Sequence, residues 1–433
     1  MINLLAASAG EVFKYIGFII VAILALMLMI IIHESGHYLA GKMLGFRIDE
    51  FSIGFGPAIF KRKNKKNGEV FSIRPIPVGG FCAFHGEDQE GADKENPYVN
   101  QSVAKNGKDG ILAYLVKDTA VTAEGVKIPS NVNSAVATDG KKGVLSYLNE
   151  PVKGPYFNDH PAWKRLIVLF SGAFFNFLSS IVIITIYFTA YGQILPMVVD
   201  THELYGYEQQ FVEGDVILAV NGKQVNIMTP DDVTAVFSDL EDSATFKVLR
   251  NGEIIKFTAY RTDYHYEATE KDADGNEFQV SETRHGYGIS YSITQQKLNF
   301  FLAFSRAFGF AFFIVFKILA SLGALITGQI GLEGAGGTIT VVKTIAEVSS
   351  QGFGSFMYVV AIISANLAVM NLLPIPALDG SRMVFTAIEM IFRKPVPRKI
   401  EGIIHTIGLV LLLLLVVFLD VFHLVNGYRR KVY

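Results

Sequence analysis

Long uncharged apolar runs constrain this chain more than any other feature. Tyr15–Ile32 is an 18-residue run without a charged side chain, about enough for a helix rising about 1.5 Å per residue to cross a hydrocarbon core of about 30 Å. Further uncharged runs occupy 166–199, 348–378 and, interrupted only by His405, 402–419. With 51% hydrophobic and 18% charged residues, the chain is too apolar for one water-soluble globule. We therefore predict a polytopic α-helical membrane protein with four spans.

The segment 299–328 is also apolar enough to span, but it carries Arg306 and Lys317. A charge at the centre of a bilayer costs about 2.5–3.5 kcal/mol on insertion scales. We therefore expect an interfacial or re-entrant helical region over 293–347, in which both cations reach water or lipid headgroups.

Loop charge predicts the orientation in the membrane. Seven basic residues lie at 47–74 after the first run, and four lie at 393–399 after the third, so the positive-inside rule makes both loops cytoplasmic. The three basic residues at 429–431 would then lie outside, but seven outweigh three. The formal net charge of -2 provides no basic field, so we predict the lipid bilayer and no nucleic acid as a partner.

Two stretches of the sequence are predicted to lie outside the membrane. Residues 198–292 contain strand-like runs separated by polar turns such as Gly214-Asp215 and Asn221-Gly222, which predicts an inserted β-rich domain. Residues 91–154 are polar with scattered hydrophobics and predict a cytoplasmic loop to which the sequence assigns no function.

The chemistry-bearing pattern is HESGH at 33–37. On a helix, His33 and His37 project from one face one turn apart and can hold a single Zn²⁺, while Glu34 is the predicted general base for an attacking water. The chain has one cysteine, Cys82, so a metal site must use histidine and carboxylate ligands. The other seven histidines, including His85 and His405, lack ligand spacing, and we expect them to be packed or solvated.

A catalytic zinc needs a third protein ligand. Asp379 is the strongest candidate because it ends an uncharged run within NLLPIPALDG. Pro374, Pro376 and Gly380 interrupt a regular helix there and free local backbone to meet a ligand or substrate.

Together, HESGH, the GD and NG turns of the β-rich insert and NLLPIPALDG resemble the site-2 protease family of intramembrane zinc metalloproteases, in its bacterial regulator-of-sigma protease type with a PDZ insert. The likeness extends to FSIGFGPAIF, RPIPVGGFCAFHGE and SGAFFNF. It implies that His33, His37 and Asp379 are zinc ligands and that Glu34 is catalytic. Local departures include Gly172-Ala173 where the family has Gly-Pro, and Ser381 after LDG.

The same resemblance implies a membrane-associated β-hairpin beside the site, containing Gly79, Gly80 and Phe81, and substrate contacts from Asn176 and Asn371. Substrates would be single-span membrane proteins, such as anti-sigma factors or signal-peptide remnants. The expected location is the bacterial inner (plasma) membrane, with the active site toward the cytoplasm and the PDZ-like domain outside. A catalytically silent PDZ scaffold and a metal-ion carrier remain the alternative functions.

The predicted organisation assigns each part of the chain to one of these elements. The segments are a first span with HExxH (1–60), the hairpin region (61–90), a cytoplasmic polar loop (91–160), a second span (161–197), the PDZ-like domain (198–292), the interfacial or re-entrant region (293–347), a third span with LDG (348–392), and a fourth span with the C-terminal tail (393–433).

Overall fold

The computed structural model describes residues 9–65, 67–87, 157–238, 240–271, 277–332, 335–394 and 396–432. The predicted polar loop at 91–160 lies outside these residues except for a short 3-10 helix at Phe157–Asp159 and the residue after it. The α helices of the described residues are α1 (Ala9–Leu44), α2 (Ala162–Ala190), α3 (Pro230–Phe237), α4 (Phe300–Ile326), α5 (Thr338–Ser349), α6 (Phe353–Leu372), α7 (Asp379–Phe392) and α8 (Arg398–Val432).

Five of these helices are long and apolar enough to cross a membrane, and four of the five overlap the predicted spans. Helix α1 continues through HExxH to Leu44. The second span is shorter than its uncharged run, because α2 ends at Ala190, Gly192 takes a φ of +106° and a strand begins at Gln193. Helix α6 ends at Leu372, two residues before Pro374, which cannot donate a helical hydrogen bond.

The fifth apolar helix, α4, coincides with the segment whose charges argued against a span. Its 27 residues form one unbroken helix, which at about 1.5 Å per residue is roughly 40 Å long. Such a helix contains no turn at which the chain could dip into the bilayer and return. The interfacial placement of this segment stays a prediction.

The described residues form two compact units, one comprising 1–176, 331–346 and 367–433, the other 177–330 and 347–366. The first unit contains a mixed four-stranded sheet in the order β2-β3-β1-β4. Its strands are β1 (Ile48–Phe55), β2 (Phe60–Lys63), β3 (Val70–Ile73) and β4 (Ile76–Phe84). Strand β1 pairs parallel with β3 and antiparallel with β4. Gly79, Gly80 and Phe81, which were expected in a hairpin, therefore lie in β4 at the edge of a larger sheet, where β4 pairs with β1 rather than with the preceding β3.

The second unit contains the β-rich insert. Its strands are β5 (Gln193–Thr201), β6 (Val216–Val220), β7 (Lys223–Gln224), β8 (Ser243–Arg250), β9 (Glu253–Tyr260), β10 (Thr262–Lys271), β11 (Glu277–Gly286) and β12 (Ile289–Gln296). One sheet has the order β12-β5-β6-β8-β9, with β7 paired to β6, while β10 and β11 form a separate pair. Asn221 and Gly222 both take positive φ between β6 and β7, as a tight hairpin turn requires.

Helix α4 is fixed within the second unit by its two cations. Arg306 is only 4% exposed, and its guanidinium donates to Gln193 Oε1 at 2.5 Å, to the Leu218 carbonyl at 2.8 Å and to the Val225 carbonyl at 2.7 Å. Lys317 pairs with Asp232 at the start of α3. The prediction that both cations reach water or headgroups is wrong for Arg306, because the β-rich insert supplies the acceptors that lipid cannot.

Candidate metal centre and active site

The helical spacing of HExxH places two imidazoles together. His33 and His37 are both buried, their rings meet edge to face with centroids 4.8 Å apart, and their Nε2 atoms lie 3.1 Å apart. A separation of four residues brings side chains onto one helical face. The two nitrogens therefore converge on one point.

Asp379 completes this group from the other end of the sequence. Its Oδ2 lies 3.0 Å from His33 Nε2 and 3.2 Å from His37 Nε2. The non-helical segment between α6 and α7 delivers the carboxylate, with Ala377 at a φ of +76°. A Cβ on Gly380 would lie 2.2 Å from the Leu373 carbonyl oxygen, so only glycine permits this fold of the segment.

Neighbouring groups orient both imidazoles. His37 Nδ1 lies 2.8 Å from the Val168 carbonyl in α2 and must donate to it, which leaves the lone pair of Nε2 free. His33 Nδ1 faces the side-chain amides of Asn176 and Asn371, each at 3.4 Å. Because an amide turned by 180° exchanges its oxygen and nitrogen, the side-chain oxygen of either asparagine can accept a hydrogen bond from the Nδ1–H group of His33. Such outer contacts are the usual means of fixing metal-binding histidines.

Gly172 is a site residue that the sequence analysis noted only as part of a departure from the family pattern. A Cβ at this position would lie 2.3 Å from His37 Nε2 and 2.7 Å from His33 Cε1. The space occupied by the two rings therefore depends on the absence of a side chain in α2. Gly36 has a matching role in α1, since its Cβ would lie 2.4 Å from the Ser171 carbonyl oxygen.

The donor atoms fit a zinc ion. Two neutral imidazole nitrogens and one carboxylate oxygen form a triangle with sides of 3.0, 3.1 and 3.2 Å. Tetrahedral zinc with bonds of about 2.0–2.1 Å would place its ligand atoms roughly 3.3 Å apart. The observed triangle is within a few tenths of an ångström of that spacing, and its three donors match the usual count in a catalytic site, which keeps one position open.

Glu34 lies beside this group rather than in the triangle. Its carboxylate lies near the backbone of Cys82 in β4 and within electrostatic range of His33, His37 and Asp379. A Cβ on Gly80 would lie 3.5 Å from Glu34 Cγ and 2.8 Å from the Ser52 carbonyl oxygen. Glycine at this position therefore lets β4 approach the Ser52 carbonyl of β1, on the part of the strand that lies beside Glu34.

The other two predicted residues of this strand contact a different neighbour. A Cβ on Gly79, which has a φ of +127°, would overlap the ring of Phe55. The Phe81 ring stacks against the same Phe55 with centroids 6.4 Å apart, and Arg74 lies over Phe81. These residues shape the edge strand on either side of Gly80.

Comparison with known proteins identifies the family of this chain. The model of peptidase family M50 matches residues 21–415, which is most of the chain. The chain is 29% identical to the zinc metalloprotease RasP of Geobacillus kaustophilus over 89% of this chain and 93% of that protein. It is 28% identical to the regulator of sigma-W protease RasP of Bacillus subtilis, over 93% of this chain and 96% of that protein.

The chain belongs to peptidase family M50, which confirms the predicted resemblance to the site-2 proteases. It is a zinc metalloprotease of the RasP type. Its long apolar helices and bacterial relatives also confirm a multi-pass protein of the inner membrane.

Proposed function

We propose that this protein hydrolyses peptide bonds of single-span membrane proteins within or just beside the bilayer, as a step of regulated proteolysis. The observation that carries the proposal is the convergence of His33, His37 and Asp379 next to Glu34. The name of the Bacillus subtilis relative, a regulator of sigma-W protease, favours substrates that resemble anti-sigma factors. Signal-peptide remnants are a second substrate class with the same single-span architecture.

In this proposal His33 Nε2, His37 Nε2 and an Asp379 oxygen hold the zinc. When bound, zinc acidifies a water molecule and polarises the scissile carbonyl. The Glu34 carboxylate accepts the proton of the attacking water and returns it to the nitrogen of the leaving peptide. The backbone of Cys82 in β4 lies beside this carboxylate, so the edge strand and the proposed base are adjacent.

The edge position of β4 supports a way of presenting substrate. A helical substrate has its amides bonded internally, so it must be unwound before a protease can reach a peptide bond. In the described sheet β4 pairs with β1 on one side only, and an extended peptide can pair with its other side by β-addition. We propose that Gly79, Gly80 and Phe81 hold the substrate beside Glu34 in this way.

The two asparagines differ in their access to such a substrate. Asn176 is fully buried against His33, whereas Asn371 is half-buried. We propose that Asn371 contacts the substrate backbone. Asn176 would act on substrate only after moving, and its present contact orients His33.

Exchange of Glu34 for glutamine tests the mechanism. The amide cannot accept the proton of the attacking water, so Glu34→Gln should abolish cleavage of a reconstituted single-span substrate while zinc content stays equal to the parent. A catalytically silent scaffold and a metal-ion carrier both predict unchanged function in this variant. Cleavage at the parent rate with zinc bound would therefore exclude the protease mechanism.

We further propose that the active site faces the cytoplasm and that the β-rich insert is an extracytoplasmic PDZ-like domain. The strand order with the short helix α3 and the turns at Gly214 and Asn221-Gly222 support a PDZ-like fold. Helices α1 and α6 must run in the same direction to bring HExxH and Asp379 to one depth. This requires an odd number of crossings between them, which α2 alone provides.

Thiol labelling tests this topology. Single cysteines replacing Gln296 and Leu332 in a Cys82→Ala background should both react with a membrane-impermeant reagent added outside intact cells. Labelling at 296 with protection at 332 would make α4 a true crossing. The proposed depth of Asp379 would then fail unless another crossing exists.

A further inference from the structure

The segment that delivers Asp379 has few helical hydrogen bonds of its own. Helix α6 ends at Leu372 and α7 begins at Asp379, so the backbone of 373–378 lies between two helices. Ala377 takes a left-handed φ of +76°, a conformation that a residue with a Cβ adopts only when its surroundings impose it. A neighbouring element must therefore hold this segment in place.

His405 in α8 provides one contact of that kind. Its Nδ1 accepts a hydrogen bond from the Ala377 backbone N–H at 3.1 Å. Ser381 Oγ also lies 3.5 Å from Nδ1, but it donates to the Leu378 carbonyl at 2.8 Å. Because Nδ1 is an acceptor, the ring proton of neutral His405 resides on Nε2, which is 3.8 Å from a Glu401 carboxylate oxygen.

Gly408 provides a second contact, about one turn further along α8. A Cβ at this position would lie 2.1 Å from Pro376 Cβ, so the helix approaches the segment as closely as a glycine permits. The His405 ring also meets Phe385 of α7 edge to face, with centroids 5.8 Å apart. Helix α8 thus contacts the segment at Pro376 and Ala377 and also contacts the helix that begins at Asp379.

We propose that His405 is a positioning residue for the metal centre, which fixes Ala377 and so places the Asp379 carboxylate against His33 and His37. The inference rests on the proposed function, in which Asp379 is a zinc ligand. It gives α8 a part in the metal site, although α8 supplies no metal-binding atom. Residues that orient a ligand commonly change metal affinity about 10- to 100-fold when they are replaced.

The test uses the full chain in detergent or lipid nanodiscs, with zinc and cobalt as probes. His405→Leu removes the acceptor at similar volume, so zinc affinity measured against a chromophoric chelator should fall at least about 10-fold. The visible absorption of the cobalt-loaded protein should change, because it reports the geometry of the ligands. His405→Asn places Oδ1 as many bonds from Cβ as Nδ1 and should restore both signals.

His423→Leu is the matched control, because His423 lies in the same helix but contacts the Ala335 carbonyl instead. It should bind zinc and cobalt as the parent does. A His405→Leu protein with the parent zinc affinity and cobalt spectrum would overturn the inference. So would a loss of zinc in His405→Leu that His405→Asn fails to restore.

A second pair of variants keeps the proposal testable if His405→Leu does not fold. Gly408→Ala pushes on Pro376 and should weaken zinc binding with His405 intact, whereas Gly402→Ala, whose Cβ meets nothing within 4 Å, should not. Parent-like zinc affinity in Gly408→Ala would count against the inference. Asp379→Asn tests the ligand assignment separately from the positioning role. If Asp379→Asn keeps the parent zinc affinity, Asp379 is not a zinc ligand. If Asp379→Asn loses zinc affinity while His405→Leu keeps it, Asp379 is a ligand and only the positioning role of His405 is excluded.

Discussion

Each of the two compact units buries polar side chains among apolar helices, and the two do so in opposite ways. In the first, His33, His37 and Asp379 direct three electron-pair donors at one point and leave room for a cation. In the second, Arg306 directs its N–H groups outward, and a side-chain amide and two backbone carbonyls accept them. Burial of an ionisable group therefore does not by itself mark a functional site. A metal site is marked by several lone pairs that converge on one point to which no hydrogen-bond donor is directed.

Among the substitutions that test this contrast between the two units, we expect the largest effect on zinc affinity at Gly172. Gly172→Ala introduces a Cβ within 2.3 Å of His37 Nε2, so the imidazole must leave its position and zinc affinity should fall by more than about 100-fold. Cleavage should be lost with it. Metal analysis after dialysis against a weak chelator measures the first effect, and a reconstituted cleavage assay the second.

Gly17→Ala is the control for this substitution, because a Cβ at Gly17 of α1 meets nothing within 4 Å. It introduces the same methyl group into a membrane helix and should leave zinc and cleavage unchanged. Full zinc content in Gly172→Ala would show that the space between the rings is not limiting, and the geometry proposed for the centre would need revision.

Arg306→Met should affect the other unit alone. The substitution leaves the Val225 carbonyl without its arginine donor and the Leu218 carbonyl with only the Val225 N–H, which should destabilise the β-rich insert by about 3 kcal/mol. Hydrogen exchange of the amides in β6 should accelerate accordingly, while zinc content stays at the parent value. Lys256→Met, which removes an exposed cation from β9, should change neither quantity.

A loss of zinc in Arg306→Met would contradict the claim that Arg306 stabilises the insert and has no part in the metal centre. It would mean that the arginine contributes to the metal centre through the second unit. Unchanged exchange in β6 would show instead that Arg306 does not stabilise the insert.

Parts of this contrast could be predicted from the sequence. The four-residue spacing of His33 and His37 fixes two donors on one helical face, and the prolines before Asp379 mark a segment free to deliver a third. Gly172 could not be found in this way, because its role depends on how closely α2 approaches the imidazoles. The position of His405 over Ala377 likewise depends on which helix packs against the loop.

The errors of the sequence analysis have a common physical origin. Only water and lipid headgroups were considered from the sequence as partners for Arg306, whereas the insert provides backbone carbonyls that are 88 and 81 positions away in sequence. The sheet near Glu34 was predicted as a hairpin because local turn signals do not encode the parallel pairing of β1 with β3. Both cases involve partners that are distant in sequence.

Asp232 should give the smallest effect. It pairs with Lys317 and accepts from the backbone N–H groups of Met228 and Thr229 at the start of α3. Burial acts to raise the pKa of Asp232, but the hydrogen bonds from Lys317 and these N–H groups outweigh it and lower the pKa. Asp232→Asn should destabilise α3 by about 1 kcal/mol at neutral pH, measured by hydrogen exchange of its amides.

The pH dependence of this effect has a definite sign. A lowered carboxyl pKa stabilises the fold at every pH above the ordinary value of about 3.9, and the contribution is lost as pH falls through the lowered value. The difference between parent and Asp232→Asn should therefore be the same at pH 7 and pH 5. A difference that shrinks between these two values would contradict the lowered pKa.

X-ray absorption at the zinc edge tests the central claim most directly, because it counts the ligands without relying on activity. The account predicts, for the zinc-loaded full-length protein, nitrogen and oxygen ligands at about 2.0–2.1 Å, with scattering from two imidazoles and no sulfur. In His37→Leu the imidazole count should fall to one or the metal should be absent. A sulfur ligand at about 2.3 Å, which only Cys82 and the methionines could supply, or an imidazole count unchanged in His37→Leu, would contradict a zinc held by His33, His37 and Asp379.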